Sequence, residues 1–250
     1  MKKALLTIAS LAIMATSAMA FPGPGPIWQP TDFRNESYIV QTGLVSWASV
    51  SQYGDQSYST ISQKGFNDKA TVIQNSDCCF TGGCGCGGSW LGFPVYTGDQ
   101  YQNFSSIKQF GAGFHDAYVN QKGDGNQSWI EQSGSKDSAK VIQNGGFNYS
   151  DIEQTGFGMN KAQVTQVGDL NTSLIDQANG VNTALVDQNG FKNFSVIDQG
   201  GFCGAGFNMA VVNQFGYMNY SDIAQSGYGS HTAYVNQANT CFTGSIPYCK

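Results

Sequence analysis

The residues able to do chemistry in this 250-residue sequence are seven cysteines, two histidines and seventeen carboxylates. Four of the cysteines crowd into Cys78-Cys79-Phe80-Thr81-Gly82-Gly83-Cys84-Gly85-Cys86, while Cys203, Cys241 and Cys249 stand apart. Two chemistries fit this usage. Local disulfides, Cys241–Cys249 among them, suit an exported chain. A thiolate metal site in the cluster is the other, although C-C-x4-C-x-C lacks the paired C-x2-C spacing of zinc ribbons. An odd count leaves at least one thiol free or joined to another molecule, and Cys203 is the candidate. His115 and His231 both stand six residues before a recurring glutamine, where Asn is usual, and are expected to be turn substitutions rather than a catalytic pair. No H-E-x-x-H, P-loop or G-x-S-x-G occurs, so no enzyme, cofactor or catalytic metal is expected.

The elements that position these residues follow from a repeat. Asn148–Gly168 contains Asn148-x-Ser150-x-Ile152-x-Gln154-x-Gly156 and then Asn160-x-Ala162-x-Val164-x-Gln166-x-Gly168. Alternation at period two is a strand signature, and Gly two residues after Gln supplies the positive φ of a reversing chain. The half-unit recurs sixteen times, at Gln41, Gln52, Gln63, Gln74, Gln109, Gln121, Gln132, Gln143, Gln154, Gln166, Gln177, Gln188, Gln199, Gln214, Gln225 and Gln237. Four residues earlier Ser and Ala alternate without a break; two residues earlier Ile and Val do the same. The full repeat is therefore two strands, present eight times.

Stacking such units predicts an all-β, flattened two-sheet β-solenoid of eight two-strand coils, rising about 4.8 Å per coil and about 38 Å in all. Within a coil the expected neighbours are Ser150 with Gln166, Ile152 with Val164 and Gln154 with Ala162, each large side chain meeting a small one. Buried Gln would be costly alone, but stacked in register each amide can bond its counterpart one coil away. Glutamines facing solvent are the alternative, which strict identity at sixteen positions opposes.

Flanking segments set the cellular context. Met1–Ala20 has a basic start, an apolar run and an Ala18-Met19-Ala20 site, the pattern of a secretory signal too short to span a membrane. Residues 21–34 hold four of the six prolines and read as a leader, either an export address or a plain linker. Residues 35–237 are the repeat domain, interrupted by a Gly/Cys-rich insertion at 75–102, and 238–250 form a Cys-containing tail. Without Lys2 and Lys3 the chain carries 10 basic against 17 acidic residues, which opposes nucleic-acid partners and anionic membranes.

The pattern Ser-x-Ile-x-Gln-x-Gly-x-x-Asn-x-Ala-x-Val-x-Gln resembles the curlin repeat of curli fibre subunits of Gram-negative bacteria. The resemblance covers about 200 residues. It implies a secreted amyloid subunit of biofilm matrix, exported unfolded through an outer-membrane channel and polymerised head to tail at the cell surface from a nucleator subunit. Open edges at both ends of the repeat point the same way. A monomeric binding solenoid for glycan or ice is the alternative; it needs one regular outward array, whereas outward positions here vary.

Two outward features carry expectations of their own. Tyr58, Phe104, Tyr149, Phe194 and Tyr220 stand five residues before Gln on Ser-type strands, suited to lateral bundling, to binding sugar rings, or simply to cross-strand support. Glu131, Glu153, Asp176 and Asp198 stand one residue before Gln in consecutive coils. They should form a column of like charges about 5 Å apart, with Lys108 relieving only one end.

Overall fold

A computed structural model describes residues 35–54, 57–76 and 102–239, the side chains of 202–205 excepted. The expected signal, leader, body of the insertion and most of the tail lie outside these residues. So do all seven cysteine side chains, including the expected Cys241–Cys249 pair.

Period-two alternation becomes strand throughout, and no helix occurs among the described residues. The thirteen strands are β1 (Glu36–Gln41), β2 (Trp47–Tyr53), β3 (Ser57–Gln63), β4 (Lys69–Asn75), β5 (Asn103–Gly113), β6 (Asp116–Lys122), β7 (Gln127–Ser135), β8 (Ser138–Asn144), β9 (Tyr149–Gly158), β10 (Lys161–Asp169), β11 (Thr172–Phe191), β12 (Phe194–Tyr217) and β13 (Tyr220–Ala238). The last three pass through a corner without leaving strand geometry, so each carries both a Ser-type and an Ala-type half-unit.

Every pairing is parallel, and the coils stack into a β-solenoid. The Ser-type ladder runs β1, β3, β5, β7, β9 and then the first parts of β11, β12 and β13. The Ala-type ladder runs β2, β4, β6, β8, β10 and then the last parts of the same three strands. Parallel neighbours need a crossover connection, and here each ladder's strands serve as the crossovers of the other.

Register follows the repeat residue for residue. Ile130, Ile152 and Ile175 are aligned on one ladder, and Val141, Val164 and Val186 on the other. The insertion leaves this unchanged, since Ile61 pairs Ile107 and Val72 pairs Val119 across it. A slip of one residue would turn every Ile and Val outward. Ile, Val and Ala of both ladders form the apolar core, with Ile39, Val50, Ala233 and Val235 only partly covered at its two ends.

The corners rest on positive φ. The Gly after Gln takes it at most turns, as at Gly134 (142°) and Gly156 (84°), and Asn179 takes it at 48°. A second left-handed residue lies immediately before the corner slot of Asn, or of His115 and Asp137: Phe114, Lys136, Phe147, Leu170, Lys192 and Met218 fall between 52° and 63°. These are not turn-forming types, and the repeat gave no sign of them. Each is held by its backbone N–H, which donates to a carbonyl of the preceding coil, as Phe147 does to Asp124 at 3.0 Å.

Candidate stacking interface

Alternation turns Gln inward with Ile and Val, and the glutamines between the end coils are buried. On the Ser-type ladder Nε2 donates to the next coil's Oε1 in the order Gln41, Gln63, Gln109, Gln132, Gln154, Gln177, Gln199 and Gln225, at 2.6–2.9 Å. The Ala-type ladder does so from Gln52 through Gln74, Gln121, Gln143, Gln166, Gln188 and Gln214 to Gln237, at 2.8–2.9 Å. Each ladder is thus a one-way chain of amide hydrogen bonds.

A second bond, not foreseen from the repeat, fixes that direction. The remaining Nε2 hydrogen crosses the core to a backbone carbonyl of the preceding opposite strand: Gln154 to Ser138 (3.1 Å), Gln166 to Tyr149 (2.9 Å), Gln177 to Lys161 (3.1 Å). Flipping the amide would set Oε1 against that carbonyl, acceptor against acceptor. The Gln166 contact lies beside Ser150, as the sequence suggests. The Gln154 amide differs: its partner lies beside Ala139 of the preceding strand rather than Ala162 of the following one, because the glutamine reaches back along the rising chain.

Corner Asn residues form ladders of opposite direction. On the Ser-type side Nδ2 of Asn148, Asn171, Asn193 and Asn219 donates back to Oδ1 of Asn126, Asn148, Asn171 and Asn193, at 2.9–3.1 Å. On the Ala-type side Asn208 donates to Asn182 and Asn182 to Asn160, each at 2.9 Å. Asn160 then donates through both backbone N–H and Nδ2 to Asp137 Oδ1.

Below Asp137 the column changes character. Three consecutive coils place Asp68, His115 and Asp137 in this slot, each 1% exposed. His115 Nδ1 lies 3.3 Å from Asp137 Oδ2 without the alignment of a hydrogen bond, and Nε2 has no partner. Asp68 accepts from Gly65 N–H at 2.9 Å and from His115 N–H at 3.3 Å. Asp137 Oδ1 therefore takes two donors from Asn160, while Oδ2 faces His115 Nδ1 across 3.3 Å without a hydrogen bond. His115 is more than a turn substitution: it sets a ring nitrogen, rather than an Asn oxygen, against the Asp137 carboxyl. The readable signal was four successive departures from Asn at one slot, Ser46, Asp68, His115 and Asp137.

The outward acids align as expected. Glu131, Glu153, Asp176 and Asp198 pair in register, and Lys108 pairs Glu131 with its Nζ 3.4 Å from Oε2. Partial burial, then Asp176, Glu131 and Asp151, push the Glu153 carboxyl above its usual value. Partial burial and then Asp198 do the same for Asp176. Desolvation is the larger cause in both, so like-charge repulsion adds to the shift without leading it.

The aromatic stripe is more continuous than its five expected members. Tyr38 and Trp129, from the neighbouring outward column, join Tyr58, Phe104 and Tyr149 in one chain of rings with centroids 4.9–5.8 Å apart. Phe194 and Tyr220 stack at 2° between planes. Along the solenoid axis each ring leans on its neighbour, stacked at Tyr58–Phe104 and Phe194–Tyr220 and tilted by 35–47° at the others. That favours cross-strand support over a platform for sugar rings.

Among the described residues no group of His, Cys, Asp and Glu is arranged to hold a metal ion, and no helix is long and apolar enough to cross a membrane. Comparison with protein-family models, with curated proteins and with solved structures finds no match to this chain.

Proposed function

We propose that this protein is a structural subunit that stacks coil upon coil, end to end, into extracellular amyloid fibres of the curli kind, serving biofilm matrix and surface adhesion. One observation carries the reading: the hydrogen-bond chains stop at both ends on complementary groups. Among the described residues, no amide donates to Oε1 of Gln41 or Gln52, and no Oε1 lies beyond Nε2 of Gln225 or Gln237. The last coil of one copy thus offers donors where the first coil of the next offers acceptors. The backbone edges and the Ile and Val positions repeat in the same register. Secretion, an outer-membrane channel and a nucleating subunit come from the curlin resemblance, and catalysis has no place in the reading.

The test is assembly of the purified mature chain, followed by amyloid-dye binding and electron microscopy. Unbranched dye-positive fibres that seed fresh protein are the expected result. Gln154→Leu, which removes one rung and one cross-core bond, should slow seeded growth. A chain that stays monomeric at high concentration would sink the fibre reading and return the solenoid to a monomeric binding role.

A further inference from the structure

The two outward surfaces of the solenoid differ in charge. On the Ser-type ladder the outward positions one, three and five residues before Gln carry Glu36, Asp151 and Asp222 besides the column from Glu131 to Asp198, against Lys108 as their one lysine or arginine. On the Ala-type ladder the same three positions carry Lys69, Lys140 and Lys161 against Asp116 and Asp187. The three lysines are exposed, and two are steadied over rings: Lys69 over Trp47 at 5.7 Å and Lys140 over Tyr118 at 5.8 Å. Among the described residues these lysines have no carboxylate within ion-pair distance, and Lys108 is the acidic column's single ion-pair partner.

We infer that the acidic Ser-type face docks side by side on the lysine-bearing Ala-type face of a second copy. Complementary charge and a shared repeat select that occupant. Lys140 and Lys161 lie one coil apart, displaced by two residues along the strand. Glu153 and Asp176 are also one coil apart, with Asp151 two residues from Glu153 on the same strand. Parallel copies have one rise per coil, about 4.8 Å, so a lysine pair in phase with an acid pair stays in phase along the contact. Two acidic faces repel, which excludes front-to-front packing. Front-to-back contact is heterologous and open-ended, so it adds copies laterally without closing. Acids of adjacent coils add, behind partial burial, to the raised carboxyls of Glu153 and Asp176.

This inference rests on the fibre reading, and the experiment separates the two by scoring dye-positive assembly and filament bundling independently. Wild type is compared with Lys140→Glu/Lys161→Glu, with Glu153→Lys/Asp176→Lys, and with a corner control, Lys136→Glu/Lys192→Glu. The control changes net charge as the first variant does but leaves both faces intact. Each should assemble. Bundles should resolve into single filaments in the two face variants, persist in the control, and reappear when the two face variants are mixed. Wild-type bundles should also loosen at about 1 M salt, where the screening length falls to about 3 Å. Bundling unchanged by the Lys140/Lys161 reversal, or lost equally in the control, overturns the inference. If wild type gives no fibres the stacking reading fails, and sedimentation of the same four soluble chains still decides whether the faces associate.

Discussion

At the residue scale, donor and acceptor chemistry decides more than similarity to the repeat. His115→Asn restores the consensus of the corner slot, yet it should destabilise the solenoid. Nδ2 of the new side chain can donate down to Asp68, but its Oδ1 then faces the acceptor-only Asp137. A buried clash of this kind costs about 1–3 kcal/mol. His115→Asn/Asp137→Asn should recover most of that loss, because Nδ2 at 137 can donate to Oδ1 at 115. Chemical unfolding of the single and double variants measures the coupling, and additive losses would show that the contact is not what matters. The serine column makes the reverse case. Oγ of Ser105, Ser128, Ser150, Ser173 and Ser195 is buried without a partner. Ser150→Ala should accordingly be neutral or stabilising by up to about 1 kcal/mol; a clear loss would reveal a bond to these hydroxyls. Smallness was readable from the strict Ser/Ala alternation, but nothing in the structure explains why one ladder prefers Ser.

At the scale of strands and corners, the turn glycines divide by what surrounds them. Gly134 has φ 142°, and a Cβ there would lie 1.8 Å from the Gly156 carbonyl oxygen of the next coil. Gly200, in β12 directly after Gln199, has no positive φ, and among the described residues its nearest neighbour is the Ser226 Cβ at 4.0 Å. Gly134→Ala should therefore cost more than the ~1–2 kcal/mol of left-handed backbone alone, whereas Gly200→Ala should change stability by less than about 0.5 kcal/mol. Thermal unfolding of the two variants reads this difference, and equal tolerance would mean that the corners are not set by stacking. Strand positions were legible because Ile, Val and Gln recur at period two, and the parallel register because the series is unbroken. Corner geometry was legible only where Gly or Asn marked it. At Phe147 or Leu170 a bulky residue takes left-handed φ because an inter-coil backbone bond holds it, and such bonds leave no mark in side-chain identity. The reach of Gln154 back to Ser138 was hidden for a related reason, since its partner is a main-chain carbonyl.

At the scale of the whole molecule, stacking turns single acidic residues into a surface whose energy depends on pH. Glu153, Asp176 and Asp151 all have carboxyls raised from ordinary values of 3.8–4.5, with partial burial the leading cause. Acids of adjacent coils add to each shift; at Asp151 the Tyr149 hydroxyl opposes it. A raised folded value means that the stacked state binds more protons than the unfolded chain within the window between the two values. The unfavourable contribution is fully present above the raised folded values. It is relieved as pH falls through them and is gone below the ordinary values of 3.8–4.5. Stability and seeded growth should then increase from neutral pH down toward about 4. Salt should flatten the profile only in part, because screening weakens repulsion but leaves desolvation in place. Glu131→Gln/Glu153→Gln/Asp176→Asn/Asp198→Asn keeps the strands and removes the charges. Its growth rate should exceed wild type at pH 7 and respond less to acid, as measured by dye fluorescence at fixed seed concentration. An acid acceleration of undiminished size in that variant would place the proton sensor elsewhere on the solenoid.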